Sequence, residues 1–330
     1  MERFVTTAAL EPAQPRTRDR MRKNRRLQRI VEALIERALL ACALLSIVIT
    51  LAIAGVVFYG SFEFFTTDNG EWMTAGEILG RVVDFFTARE WTPNFVGARY
   101  GILPLLTATL MVTLIAAAIA IPIGVMTAIF LSEYATPRIR GVAKPTLELL
   151  AGIPSVVYGF FAITIVTPAL ATIIPGLNSF NLLSAGIVVG IMIIPMVASL
   201  SEDALRAVPR ALRDGAIALG ANKFETSVKV VLPAALSGVM ASFVLALSRA
   251  IGETMAVSLA AGETARLTLD PREGAVTMTS FIVRVATGDA PHGTTTFNSL
   301  FVVAGTLFVI TLFMNIAGRF LLRRYRQVYR

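Results

Sequence analysis

Residues 149–201, LLAGIPSVVYGFFAITIVTPALATIIPGLNSFNLLSAGIVVGIMIIPMVASLS, run for 53 positions without an Asp, Glu, Lys or Arg. One α-helix of that length would measure roughly 80 Å, whereas about 20 apolar residues cross the hydrocarbon core of a bilayer. The tract therefore predicts two membrane spans, with Pro175-Gly176-Leu177-Asn178-Ser179 as the turn between them. Residues 38–62, 100–132 and 290–318 are free of charge in the same way. The whole chain of 330 residues is 55% hydrophobic and 16% charged, with a mean hydropathy of +0.70. Soluble domains hold roughly 45–50% and about 25%, so a soluble enzyme, a disulfide scaffold and a disordered chain are excluded. Six transmembrane helices are predicted over residues 38–60, 103–131, 147–174, 182–200, 237–262 and 297–322, which makes an all-α membrane protein.

The charges orient this layout. With the amino terminus inside, 23 of the 30 Lys and Arg fall in residues 1–37, 132–146, 201–236 and 319–330; six lie on the other side and Arg249 within a span. Acidic residues divide 11 to 10, with Glu253 in the span, so the asymmetry belongs to Lys and Arg and places both termini in the cytoplasm. The net charge of +8 needs no nucleic acid; anionic lipid headgroups suit the tail better. Residues 1–37 read as a basic cytoplasmic tail. Its first 26 residues have little to bury and predict a flexible extension, and Leu27, Ile30, Val31, Leu34 and Ile35 predict a short amphipathic helix on the membrane surface. A first span at 38–60 is longer than a signal-peptide core. Residues 61–99 form an outside segment with Phe64, Phe65, Trp72, Phe85, Phe86 and Trp91, either an interfacial helix or a docking surface. Residues 100–325 hold the other five spans. The one cysteine, Cys42, and the one histidine, His292, predict a packing residue and a loop residue, and supply neither a disulfide nor a Cys/His metal cluster.

Residues 201–236 are too patterned for a linker. Ser201-Glu202-Asp203 offers a helix start and Pro209 the first position of a second helix; Leu212, Ala216 and Leu219 form its stripe and Gly220 its cap. A further short helix over 222–231 ends before Pro233, giving a compact knob. On physics alone the knob docks a partner or merely packs. Asp214-Gly215-Ala216, then Gly220, nine residues, and Val230-x-Leu232-Pro233 resemble the EAA coupling loop of ABC importer permeases. Asp-Gly stands for the family's Glu-Ala; the charge is kept and the glycine costs the helix about 1 kcal/mol. The resemblance assigns Asp214, Gly215, Ala216, Gly220, Ala221, Leu232 and Pro233 to contact with an ATPase. Residues 151–159 (AGIPSVVYG), 200–210 (LSEDALRAVPR) and 249–257 (RAIGETMAV) are similar to stretches of phosphate-specific (Pst) ABC importers. Trp91-Thr92-Pro93, residues 100–104 (YGILP) and Gly288-Asp289-Ala290-Pro291 resemble the C permease more than its sister, the A permease.

The resemblance implies the ABC importer permease fold in a bacterial plasma membrane. It also implies a second permease of the A type, two ATP-binding subunits and an outside phosphate-binding protein. None of the four lysines, Lys23, Lys144, Lys223 and Lys229, follows a glycine. The chain therefore lacks a G-x-x-x-x-G-K-[ST] phosphate loop; ATP and Mg²⁺ belong to the partner, and the chain is not itself an enzyme. Arg249 and Glu253, with Thr254 beside them, are the candidates for the substrate pathway. Buried charges cost roughly 2.5–3.5 kcal/mol each in a span, so they should face the bundle interior. At i and i+4 they are expected to share a helix face and neutralise each other; the pair either braces the helix or meets an oxyanion through the forked guanidinium. Gly152 and Gly159, around Pro154, predict a close contact or a break in the third span. Two rival readings stay open: the permease of another oxyanion importer (sulfate, molybdate or phosphonate), and a stand-alone secondary transporter.

Overall fold

The structure is a computed structural model that describes residues 15–68, 71–93, 95, 97–291 and 293–325. The first 14 residues of the tail, and His292, lie outside them. The chain forms two units, Met1–Val56 and Val57–Arg330. The first contains most of α1 (Pro15–Thr66), a 52-residue helix whose side chains from Leu34 to Ile53 are exposed. Among the described residues, from Pro15 onward, no boundary separates the expected extension, surface helix and first span. No Pro or Gly occurs between Pro15 and Gly55 to interrupt the ladder, and one helix continues throughout. Cys42 is exposed on it, not packed.

After α1 come the two-residue strands β1 (Thr67–Asp68) and β2 (Glu71–Trp72), paired antiparallel with Thr67 opposite Trp72. Helix α2 (Ala75–Thr87) starts with a capping box between Thr74 and Glu77. Helix α3 (Leu103–Ile129) ends in a π-helical turn, Phe130–Tyr134. Then follow α4 (Pro137–Ala151), α5 (Ser155–Phe161) with a π turn at Ala162–Val166, α6 (Thr167–Ala171) and α7 (Leu182–Arg206). The knob comprises α8 (Arg210–Ala218), α9 (Lys223–Glu225), a π turn at Thr226–Val231 and α10 (Leu232–Ala234). The chain closes with α11 (Leu236–Ile251), α12 (Met255–Ala260), α13 (Met278–Arg284), a π turn at Val285–Asp289 and α14 (Thr295–Tyr325).

Four helical stretches are long and apolar enough to cross a membrane: Val31–Thr66, Leu103–Tyr134, Leu182–Arg206 and Thr295–Phe320. Two more spans follow if each bent pair is one, Pro137–Ala151 with Ser155–Ala171 at 86° and Lys223–Ala234 with Leu236–Ile251 at 72°. The third span is therefore not the single helix expected over 147–174. Pro154 lacks the N–H that would continue α4, and the chain breaks at Gly152-Ile153-Pro154. The fifth, expected over 237–262, ends at Ile251. The helix start expected at Ser201 is also absent, because α7 runs through it to Arg206.

The core is built on α3 against α7. Gly186 and Gly190 of α7 face Ile115 and Ala116 of α3, and Gly124 of α3 faces Val197, where an added Cβ would lie 2.6–3.1 Å from the neighbour. Small residues let two backbones approach to dispersion contact, the main attraction available between helices in lipid. A second cluster gathers Phe64, Phe85, Trp91, Ile102 and Phe281 at the N-terminal end of α3. There Trp91 stacks edge-on with Tyr100 at 5.7 Å and Phe281 at 4.9 Å. The aromatics of residues 61–99 thus divide: Phe64, Phe85 and Trp91 are core, whereas Trp72 and Phe86 are exposed. Asp68 ties this region to α14 by accepting from Thr295 Oγ1 at 2.7 Å and pairing with Arg81 at 3.0 Å. Those bonds, the Thr295 hydroxyl foremost, hold its carboxyl below the usual range.

Candidate functional site

Glycine ends α11. After Arg249 in its last turn, Gly252 leaves the helix, and Glu253 and Thr254 lead into α12. The first amides of a helix need acceptors, and Glu253 Oε1 accepts from Ala256 N at 3.2 Å. The Glu253 backbone carbonyl accepts from Thr279 Oγ1 at 2.7 Å, and the side chain is buried. Arg249 is exposed, and no ion pair joins it to a carboxylate among the described residues. The expected neutralising pair therefore does not form: i and i+4 share a face only while the helix continues, and Glu253 is spent on capping α12. Thr254 Oγ1 donates to Gly252 O at 3.2 Å, closing the same turn.

The break in the third span packs against this turn. A Cβ on Gly159 would lie 2.9 Å from Leu259 Cδ1 and 3.0 Å from Ala256 Cα, so only glycine lets α5 approach α12 so closely. The hydroxyl of Tyr158, beside Gly159, donates to Leu150 O at 3.1 Å. Sequence reasoning missed the polar row behind the turn. Ser258 Oγ donates to Ser280 Oγ at 3.0 Å, Thr277 Oγ1 to Ser280 Oγ at 3.1 Å, and Thr109 Oγ1 accepts from Met278 N at 3.0 Å. Its only signal is a run of three hydroxyls, Thr277, Thr279 and Ser280, amid apolar sequence. Among the described residues no group of three His, Cys, Asp or Glu could hold a metal ion.

The knob stands at the other end of α7. Gly220 has φ +90°, and around it Gly220 N donates to Ile217 O at 2.9 Å and Ala221 N to Ala216 O at 3.1 Å. Both bonds satisfy carbonyls that the end of α8 would leave open. Asn222 then opens α9 with a capping box to Glu225. Asp214 and Gly215 are exposed, Ala216, Ala221 and Leu232 half-buried, and Pro233 exposed at the start of α10. Ile217, Leu219 and Phe224 are exposed around them, Leu219 to 92%. A carboxylate ringed by uncovered apolar side chains suits a groove on another protein.

Comparison with known proteins identifies the family. Residues 120–327 match the family described as "Binding-protein-dependent transport system inner membrane component". The chain is similar to the probable ABC transporter permease protein YqgH of Bacillus subtilis, 33% identical over 92% of this chain and 94% of that protein. It is also similar to the phosphate transport system permease protein PstC of Mesorhizobium japonicum, 30% identical over 96% and 98%. Phosphate transport system permease protein PstC 1 of Mycobacterium tuberculosis is 36% identical over 76% and 84%. Among solved structures, an inward-facing MetNI methionine ABC transporter shares the fold, with TM-score 0.51 at 19% identity over 69% of this chain and 95% of that one.

Proposed function

Since the chain belongs to the family of binding-protein-dependent transport system inner membrane components, we propose that it is a permease subunit of an ATP-driven ABC importer for inorganic phosphate. The observation that carries the permease role is the capped, exposed knob from Asp214 to Ala221. Phosphate as cargo is supported by the relatives that bear a phosphate permease's name along most of this chain. The protein is a multi-pass membrane subunit that works with an ATPase and a solute-binding protein. In finer detail, it pairs with a second permease of the A type, its basic tail lies among anionic lipids, and both termini are cytoplasmic. ATP and Mg²⁺ sit on two partner subunits.

The mechanism proposed is alternating access. The knob docks on the ATPase pair through Asp214 and its apolar rim. Closure of that pair on ATP moves α8, and the bundle reopens to the other face. On the pathway, the exposed Arg249 meets the oxyanion with two N–H groups at once. Glu253 and Thr254 hold the turn that presents it. No residue of this chain makes or breaks a covalent bond.

The test is a reconstituted complex of both permeases, the ATPase and the binding protein, assayed for ATP hydrolysis and uptake with phosphate, sulfate, molybdate and a phosphonate. Phosphate alone should stimulate both. Stimulation by another oxyanion in its place would reassign the cargo, and uptake without ATPase subunits would reject the class.

A further inference from the structure

Arg213 stands beside Asp214 on α8, yet it points into the molecule, with 18% of its side chain exposed. Its Nη2 donates to Glu133 Oε1 at 2.9 Å, and its Nε lies 3.3 and 3.2 Å from the two Glu133 oxygens. The same guanidinium donates from Nη1 to Val208 O at 2.6 Å and from Nη2 to Leu205 O at 2.8 Å. Glu133, 9% exposed, sits in the π turn that ends α3. Leu205 lies in the last turn of α7 and Val208 just beyond it, where the negative end of the helix dipole attracts a cation. One side chain thus binds the knob to the ends of both helices that make the core.

The connection continues from α7. Glu202, one turn before its end, is fully buried. It pairs with Arg140 and, at 2.8 Å, with Lys144 of α4, and Lys144 also pairs with Asp203. α4 turns by 86° into α5, and Gly159 of α5 presses on α12, whose first turn Glu253 caps. Apolar packing under the knob, in a cluster that includes Val208, Val231 and Ala235, is non-directional and allows sliding. A forked guanidinium on three acceptor groups fixes orientation as well as distance.

We propose that Arg213, held on Glu133 and on the carbonyls ending α7, is a positioning residue that carries movement of the knob into the core. Glu202 passes that movement to the bent third span and so to the turn at Glu253. This rests on the reading of the chain as the permease of an ATP-driven importer.

The test uses the whole complex in proteoliposomes, with phosphate uptake and ATP hydrolysis measured in the same sample for wild type, Arg213→Gln and Glu202→Gln. Phosphate moved per ATP should fall about tenfold in each variant, while hydrolysis stays within about twofold of wild type. Equal loss of uptake and hydrolysis in intact complexes, or no change in either, overturns the proposal. If Arg213→Gln fails to assemble, Arg213→Lys, which keeps the charge and loses the fork, reads the same ratio; an unaltered ratio there also overturns it. A wild-type complex that hydrolyses ATP without moving phosphate would instead refute the cargo, which the variants leave untouched.

Discussion

In the proposed mechanism the pathway turns on Arg249. A guanidinium exposed at a break between helices, with no ion pair to a carboxylate among the described residues, is ready for an anion from outside the chain. Arg249→Gln should lower phosphate uptake by about a hundredfold or more, the scale of removing one member of a desolvated charge pair. The ATPase should still co-purify with the complex, and uptake of labelled phosphate beside a pull-down reads both; wild-type uptake would take Arg249 off the pathway. The sequence marks this arginine because charge is so scarce around it. It misleads about the partner, since pairing with Glu253 presumes that the helix passes through Gly252. The identity of a capping residue depends on where a helix stops, and a glycine inside an apolar run can be tolerated or can terminate the helix.

At the scale of elements, the start of the knob is legible beforehand, whereas its last helix, expected to end before Pro233, runs on through it to Ala234. Gly220 as the stop of α8 and Asn222 as the next start are chemistry of neighbours in sequence, and local capping rules decide them. The bends in the third and fifth spans are less legible. Prolines at 122 and 195 lie inside unbroken helices, whereas Pro154 sits at a break, and only the surrounding bundle separates these outcomes. Gly215, an exposed glycine within α8, makes an independent check. Nothing lies within 4 Å of a Cβ built there. Gly215→Ala should therefore stabilise the helix by about 1 kcal/mol, raising amide exchange protection across residues 210–218 about fivefold with transport retained. Unchanged protection would mean that α8 is held by its contacts and not by its own propensity.

For the whole molecule, the distribution of Lys and Arg makes the orientation testable. Reporter fusions after residue 220 and at the C-terminus should report cytoplasm, and those after residues 90 and 270 the opposite side. Any fusion with the reverse result removes the placing of the knob against a cytoplasmic ATPase. Spans were readable across the chain because lipid demands long uncharged helices. The ion pairs that bind them were not. Glu133 and Arg213 are 80 residues apart, and Glu202 and Arg140 are 62 apart, so no periodicity joins them. The aromatic cluster has one more consequence. Both tryptophans of the chain, buried Trp91 and exposed Trp72, lie towards the N-terminal end of α3, whereas Glu133 and the knob follow its C-terminal end. Intrinsic fluorescence is thus a one-sided optical reporter. A nucleotide seated below can alter that emission only if its signal has crossed the bilayer's full thickness.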